Sequence, residues 1–169
     1  VRSMTAINIV FMSAVEEIQA VTFGLGAEVF AVPVTFVKEI LDYRETFRIP
    51  GGPDYLLGLT DLRGQGVTTI DFRLRLGLSR ADATSATRIL VIEVPLADRT
   101  LLLGLVVDRV IEVSSFRSDE IEGAPDIGAD WPSDYIAGVV RRQDGFVVLV
   151  DVNAIFANDV PPVLAAAAA

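Results

Sequence analysis

The 169-residue chain is 51% hydrophobic and carries a formal net charge of −9. It contains no cysteine and no histidine, which excludes disulfides, thiol chemistry, a Ser-His-Asp triad and a histidine-type zinc site. The acidic balance argues against nucleic acid as a partner, because phosphate binding needs a basic face.

The apolar segments have the length of buried strands. No apolar run approaches the roughly 18 residues that a membrane helix needs, although the mean hydropathy is high at +0.49. The string at 101–107 is interrupted by Gly104. No cationic and apolar leader opens the chain, and the absence of cysteine fits a reducing compartment, so we expect a cytoplasmic protein without membrane insertion.

The first third of the chain predicts a lead-in followed by a hairpin. Residues 1–19 carry no clear periodicity, whereas 20–32 forms a plausible tight hairpin that ends at Pro33. Residues 34–43 suit a helical face as well as an irregular strand. Within them, the sequence Val-Lys-Glu-Ile indicates either a surface turn of helix or a mixed apolar and acidic docking patch.

The second predicted hairpin is the centre of the chain. Two β-type segments, 55–62 and 67–72, meet at a glycine-rich bend. Arg63 lies at the lip of this bend, where it is either a partner contact or a solvated turn arginine. The small and polar segment 79–86 predicts a loop.

The second half repeats the β pattern. We predict strands at 87–94, at 100–108 with a continuation through 110–113, at 135–141 and at 145–152, then a short helix at 153–158. Residues 159–169 predict a tail without function. Short strands with frequent turn signals predict an all-β fold with minor helix, built of small barrels or sandwiches. The lack of long helices argues against a parallel doubly wound sheet.

Six short motifs occur in an order that resembles the CheW family, the adaptors of bacterial chemotaxis arrays. They are V-x-E-I at 37–40, P-x-x-x-x-G-x-x-x-L-R-G at 53–64, V-D-L-R at 70–73, G-x-x-V-D-x-V-x-E-V at 104–113, I-x-x-x-P at 121–125, and Y-I-x-G with L-L-D at 135–138 and 148–151. The resemblance covers residues 20–158. Thr68 stands where the family often has proline, and Asp61 and Gly66 also depart from the usual residues, which could alter the choice of partner.

The resemblance implies a fold of two five-stranded SH3-like barrels packed on a shared core, with a short C-terminal helix. We expect the two subdomains at roughly 34–86 and 87–152. The first hairpin, 20–32, is not assigned to either one.

The resemblance also implies a protein without catalysis, cofactor or metal. Members of the family bind the cytoplasmic tip of chemoreceptors and the regulatory domain of the histidine kinase CheA, which has the same fold. A protein of this kind is cytoplasmic and is recruited to membrane-associated receptor arrays. Alternatives within the fold are a scaffold of a nonchemotactic two-component pathway and a detached regulatory domain of a CheA-type kinase.

Five residues are the main candidates for partner binding. Arg63 would pair with a carboxylate of the receptor or the kinase. Gly58 and Gly64 would keep the backbone close to a partner. Val37 and Glu39 would form a second patch, and the groove between them would accept a helical receptor tip.

Three further candidates are Val106, Asp108 and Val110, which either line the groove or only pack in the core. Asp71 and Arg73 are expected to form a structural ion pair. An enzyme is the remaining alternative, with carboxylates paired as Asp71 and Asp108, or as Glu112 and Asp151 in the later strands. No recognisable motif surrounds either pair.

Overall fold

The computed structural model describes residues 16–123 and 133–157, which form an all-β fold with two short helices. The strands are β1 (Glu17–Leu25), β2 (Glu28–Pro33), β3 (Val37–Asp42), β4 (Leu56–Leu62), β5 (Gln65–Asp71), β6 (Arg88–Pro95), β7 (Thr100–Val107), β8 (Arg109–Arg117), β9 (Ile121–Glu122), β10 (Ile136–Arg142) and β11 (Gly145–Val150). The helices are α1 (Phe72–Arg75) and α2 (Val152–Ala157). In the described ranges, no helix is long and apolar enough to cross a membrane.

The predicted fold class and most predicted elements are confirmed. The ambiguous segment 34–43 forms a single 3-10 turn, Val34–Phe36, followed by β3. The predicted closing helix is α2. β1 begins at Glu17, three residues before the expected start of the domain at residue 20, and the tail at 159–169 lies outside the described residues.

The strands form two sheets. One sheet has six strands in the order β8-β1-β2-β11-β10-β9, and the other has five in the order β3-β6-β7-β5-β4. The sixth strand of the larger sheet is β9, which has only two residues. The two predicted β modules are therefore present, with one short strand more than expected.

The expected subdomain boundary near residue 86 does not follow the sheets. β6 and β7 pair with β3 and β5, whereas the first hairpin, β1–β2, pairs with β8 and β11. The two sheets therefore do not coincide with the ranges 34–86 and 87–152, and the assignment of these ranges as subdomains stays a prediction. Hairpin signals are local, and strand alternation does not specify which distant strand becomes the neighbour.

The predicted strand from 100 to 113 is in fact two strands in different sheets. β7 ends at Val107 in the five-stranded sheet, and β8 begins at Arg109 in the six-stranded sheet. Asp108 separates them, and its backbone N–H donates to the Gly24 carbonyl at 3.1 Å. Both strands are rich in valine, leucine and isoleucine. Composition alone therefore does not reveal that the chain passes from one sheet to the other at Asp108.

The segment β4–β5–α1 recurs 80 residues later as β10–β11–α2, with a register shift at the same place in each first strand. The Asp71 N–H donates to the Tyr55 carbonyl at 2.8 Å, and the Asp151 N–H donates to the Tyr135 carbonyl at 2.9 Å. Each aspartate carboxylate also accepts the N–H three residues further on and so caps the helix that follows. The chain therefore contains an internal repeat.

The preceding strands repeat as well, with β2–β3 recurring 73 residues later as β7–β8. Phe30 is the parallel neighbour of Val148, and Leu103 is the parallel neighbour of Thr68, which are equivalent pairs under the two offsets. We call β1–β5 with α1 the first unit and β6–β11 with α2 the second unit. Each unit contributes its first hairpin, β1–β2 or β6–β7, to the sheet of the other unit.

The two sheets share one main hydrophobic core. Phe23 and Phe30 from the first hairpin stack with ring centroids 5.9 Å apart, and Phe72 of α1 lies 5.9 Å from Phe23. Phe156 of α2 is buried in the same cluster. This common core, together with the exchanged hairpins, predicts that the described chain unfolds as one cooperative body.

Candidate partner-binding site

The turn between β4 and β5 has the geometry of a two-residue hairpin loop. Arg63 has φ +50° and Gly64 has φ +84°, and Leu62 pairs with Gln65 across the turn. Consecutive positive φ angles match the right-handed twist of a hairpin. The Gly64 N–H donates to the Asp61 carboxylate at 2.9 Å. A Cβ on Gly64 would meet open space, so the backbone angle is what requires glycine there.

Arg63 forms a bidentate ion pair with Glu39 of β3. Nη1 and Nη2 donate to Oε1 and Oε2 at 3.0 and 2.8 Å. The hydrogen bond from Arg63 lowers the pKa of Glu39, and the same bond raises the pKa of Arg63. The Arg63 side chain remains 70% exposed. The predicted contact at Arg63 and the predicted patch at Val37 and Glu39 thus form one surface. Arg63, which was expected to bind a carboxylate of a partner, already binds the Glu39 carboxylate of its own chain.

Arg63 is the only non-glycine residue with a positive φ among the described residues. Such a backbone conformation is uncommon for a long side chain and needs support from its surroundings. The bond to Glu39 and the glycine that follows supply that support. The turn therefore places the Arg63 guanidinium at the surface, where Glu39 fixes its position.

The valine candidates lie at the rim of the core. Val37 and Val110 are half-buried against the main cluster, and Val106 is half-buried against the smaller cluster around Leu41 and Leu62. Their outer faces are accessible from the surface. Packing at the rim of the core is therefore shown for all three valines, and groove lining, which was the alternative for Val106 and Val110, stays a prediction.

Asp108 is held by Arg73 of α1. Arg73 Nε and Nη2 donate to the two carboxylate oxygens at 2.8 and 2.7 Å, and the Gly26 N–H donates to the same carboxylate at 2.6 Å. The Arg73 hydrogen bond is the largest influence that lowers the pKa of Asp108. The predicted Asp71–Arg73 ion pair is wrong, because Asp71 caps α1 while Arg73 turns to Asp108.

Gly58 is required by its own chain. Its φ is +139°, and a Cβ built there would lie 2.0 Å from the carbonyl oxygen of Phe47. Phe47 and Leu59 exchange two backbone hydrogen bonds of 2.8 Å beside it. The close approach predicted at Gly58 is therefore an approach to the Phe47 backbone. Phe47 itself is 71% exposed, so a substitution at Gly58 would displace a surface residue.

A cavity of about 200 Å³ opens beside the Asp108 pair. Its wall includes Val106 and Arg73, as well as Tyr43, Leu57 and Arg80, which no motif had singled out. The carboxylates of the enzyme hypothesis have other contacts. Asp71 and Asp151 cap helices, Asp108 binds Arg73, and Glu112 accepts a hydrogen bond from Ser114.

Sequence reasoning also missed an exposed apolar strip on β8. Ile111 and Val113 are 45% and 60% exposed, and β8 is an edge strand of its sheet. Val113 closes the motif at 104–113, where it looked like one more strand valine. Only the sheet order reveals that its strand lies at an edge.

Comparisons with known proteins agree with this architecture. A protein-family model described as "CheW-like domain" matches residues 19–160. The chain is 32% identical to "Chemotaxis protein CheW" of Bacillus subtilis, over 80% of this chain and 84% of that protein. It is 28% identical to "Chemotaxis protein CheW" of Rhizobium meliloti, over 83% of this chain and 88% of that protein.

The fold also matches a solved structure, the crystal structure of the scaffolding protein TtCheW from Thermoanaerobacter tengcongensis. The TM-score is 0.73 and the sequence identity is 23%, with 83% of this chain and 93% of that chain covered. The family match spans nearly all of the described residues and includes both repeat units. On these grounds, this chain belongs to the family of CheW-like domain proteins.

Proposed function

We propose that this chain is a non-catalytic adaptor that couples chemoreceptors to a CheA-type histidine kinase in bacterial chemotaxis. The names of its relatives, chemotaxis proteins, support the chemotaxis assignment. The observation that carries the proposal is the Arg63–Glu39 pair. Two family motifs, V-x-E-I and L-R-G, meet at an exposed position where the core does not need them.

The binding surface of this proposal centres on that pair. Arg63 and Glu39 supply charge, and the half-buried Val37, on the same strand as Glu39, supplies apolar contact at the core rim. An apolar surface with charged edges suits an amphipathic helix, such as a receptor tip. Gly64 gives the turn its shape, and Gly58 fixes the position of the adjoining Phe47 segment.

Asp108 and Val106 contribute through the cavity beside the Arg73–Asp108 ion pair, which both residues line. The Asp108 carboxylate is held by Arg73 and Gly26, so its part is to position the surrounding loops. The kinase regulatory domain would take a different face from the receptor, and both partners would hold the adaptor at a membrane-associated array. In this proposal the chain works in the cytoplasm and needs no cofactor.

Charge variants at the pair test the proposal. Arg63→Glu should abolish receptor-dependent kinase stimulation in a reconstituted assay while leaving the circular dichroism spectrum unchanged. The exchange Arg63→Glu with Glu39→Arg restores an internal ion pair, yet stimulation should stay low if Arg63 itself contacts a partner. Arg117→Glu is the matched control, because Arg117 also pairs with a nearby carboxylate, Asp119, on the other sheet. If the Arg63→Glu variant supports normal receptor-dependent kinase stimulation, Arg63 is not part of the binding site.

A further inference from the structure

A second cavity, of about 350 Å³, adjoins the one beside the Arg73–Asp108 ion pair, because Leu57 and Arg80 line both. We call it the Arg48–Arg80 cavity, and it is lined by residues 48–50, 54, 56 and 57 together with Arg80. The connector between β3 and β4 and the start of β4 thus supply most of its wall, and the loop after α1 supplies Arg80. A cavity of this volume admits a small organic molecule.

Two arginines without an internal partner line this cavity. Among the described residues, the arginines whose side chains make no hydrogen bond and no ion pair are Arg48, Arg80 and Arg99. The other described arginines bind a carboxylate or a backbone carbonyl of their own chain. Arg99 lies between β6 and β7 and lines neither cavity. Two of the three unpaired guanidinium groups therefore share one cavity in a chain whose net charge is −9.

The apolar part of the wall is anchored in the main core. Leu56 is buried there, and Ile49 is half-buried against the same cluster. A Cβ on Gly52 would overlap the Leu56 side chain, so the connector lies directly against this leucine. Exposed arginines beside an anchored aliphatic wall suit a ligand that has an anionic group and a short aliphatic body.

One carboxylate, that of Asp54, also lines the cavity. In the described ranges, Asp54 makes no ion pair with Arg48 or with Arg80. The two arginines therefore exceed it by one positive charge. Asp54 repels an anion, so its removal should strengthen anion binding, whereas it would weaken the binding of a cation.

We propose that the Arg48–Arg80 cavity binds a small organic anion whose phosphate or carboxylate group contacts both guanidinium groups. Arginine forms charge-assisted hydrogen bonds with either oxyanion, and its planar donors match their geometry. The aliphatic body of the ligand would lie against Ile49 and Leu56. Anion binding at this cavity is independent of the proposed adaptor function.

The test is a titration of the intact chain with three small molecules that share one aliphatic tail: butyl phosphate, butyrate and butylammonium. Chemical shifts of the backbone amides are followed by NMR at constant ionic strength. Ile49 and Leu57 should show saturable shifts with butyl phosphate or butyrate, and the stronger of the two identifies the oxyanion. Butylammonium should produce none. The inference is overturned if neither anion gives saturable shifts, or if butylammonium binds equally well.

Substitutions at exposed positions then assign the charge. Arg48→Gln and Arg80→Gln should each weaken anion binding at least about fivefold, since each removes one of the two cations. Arg99→Gln is the matched control, because it removes the third unpaired arginine outside the cavity, and it should bind like the wild type. Asp54→Asn should bind the anion more tightly. Equal binding by all three arginine variants would show that the cavity arginines do not hold the anion, and would overturn the inference.

Discussion

Arg73 and Asp108 join the two repeat units at the point where the chain crosses between sheets. The Arg73 guanidinium, on α1, donates to both oxygens of the Asp108 carboxylate, and Asp108 separates β7 from β8. The N–H of Gly26, in the first hairpin, donates to the same carboxylate. Three parts of the chain thus meet at one carboxylate. The side chains are only 18% and 28% exposed, so solvent screens this pair less than a surface pair.

Asp108→Asn should lower the free energy of unfolding by about 2 kcal/mol at pH 7, since charge-assisted hydrogen bonds are lost. The pKa of Asp108 is depressed below its ordinary value of 3.8, so the contribution is complete above about pH 4 and is lost as pH falls through the folded-state pKa. Urea titrations at pH 7 and pH 3 should show a smaller difference from wild type at pH 3. An equal difference at both pH values would contradict this account.

Thr68→Val should stabilise the protein by about 1 kcal/mol, because a buried hydroxyl without a partner is removed. Thr68 Oγ1 is the buried side-chain atom without a hydrogen bond in the described ranges. The matched control is Thr60→Val, which loses the 2.7 Å hydroxyl bond to Thr69 and should destabilise by about 1 kcal/mol. Urea midpoints that move in the same direction for both variants would refute the distinction.

Gly58→Ala should destabilise by more than about 2 kcal/mol, because its φ suits only glycine and its Cβ would overlap the Phe47 carbonyl. Gly64→Ala has the same kind of backbone angle but open space around the Cβ, and should cost about 1 kcal/mol. Thermal unfolding of the two variants checks the order. A smaller loss for Gly58→Ala than for Gly64→Ala would show that the Phe47 segment gives way easily.

Arg75→Gln should loosen α2. The Arg75 guanidinium lies 5.3, 5.0 and 5.9 Å from the ring centroids of Tyr55, Tyr135 and Phe156, and it donates to the carbonyl of residue 155 in α2. Loss of these contacts should cost about 1–3 kcal/mol and raise hydrogen exchange in α2. Arg141→Gln is the control, since that guanidinium stacks on an exposed ring. Unchanged hydrogen exchange in α2 would show that the contacts of Arg75 do not hold this helix in place.

A fragment of residues 16–86 should not fold alone, because its strands β3 and β5 lack their partners β6 and β7. The complementary fragment 87–157 lacks the β1–β2 hairpin in the same way. Circular dichroism should show little β structure in either fragment and a gain when they are mixed. Cooperative unfolding of one isolated fragment would show that the exchanged hairpins are dispensable.

In the candidate site, the sequence motifs predict individual residues but not the contacts between them. Both Arg63 and Glu39 could be selected from the sequence, because they stand in short patterns typical of one family. Their contact could not, since the two residues are 24 positions apart, with Glu39 on β3 and Arg63 in the turn between β4 and β5, strands that do not pair with β3. The role of Gly58 was also hidden, because its constraint comes from the backbone of Phe47, which no motif includes.

Strand positions, turn residues and family membership were determined by the sequence itself, because alternation, glycine placement and motif order are properties of neighbouring residues. The sheet to which each strand belongs was decided only by the tertiary structure. The exchange of the first hairpins and the ion pair of Arg73 with Asp108 both depend on contacts between distant segments. Such contacts form because they bury a shared core, and no local pattern records which distant surface that core will use.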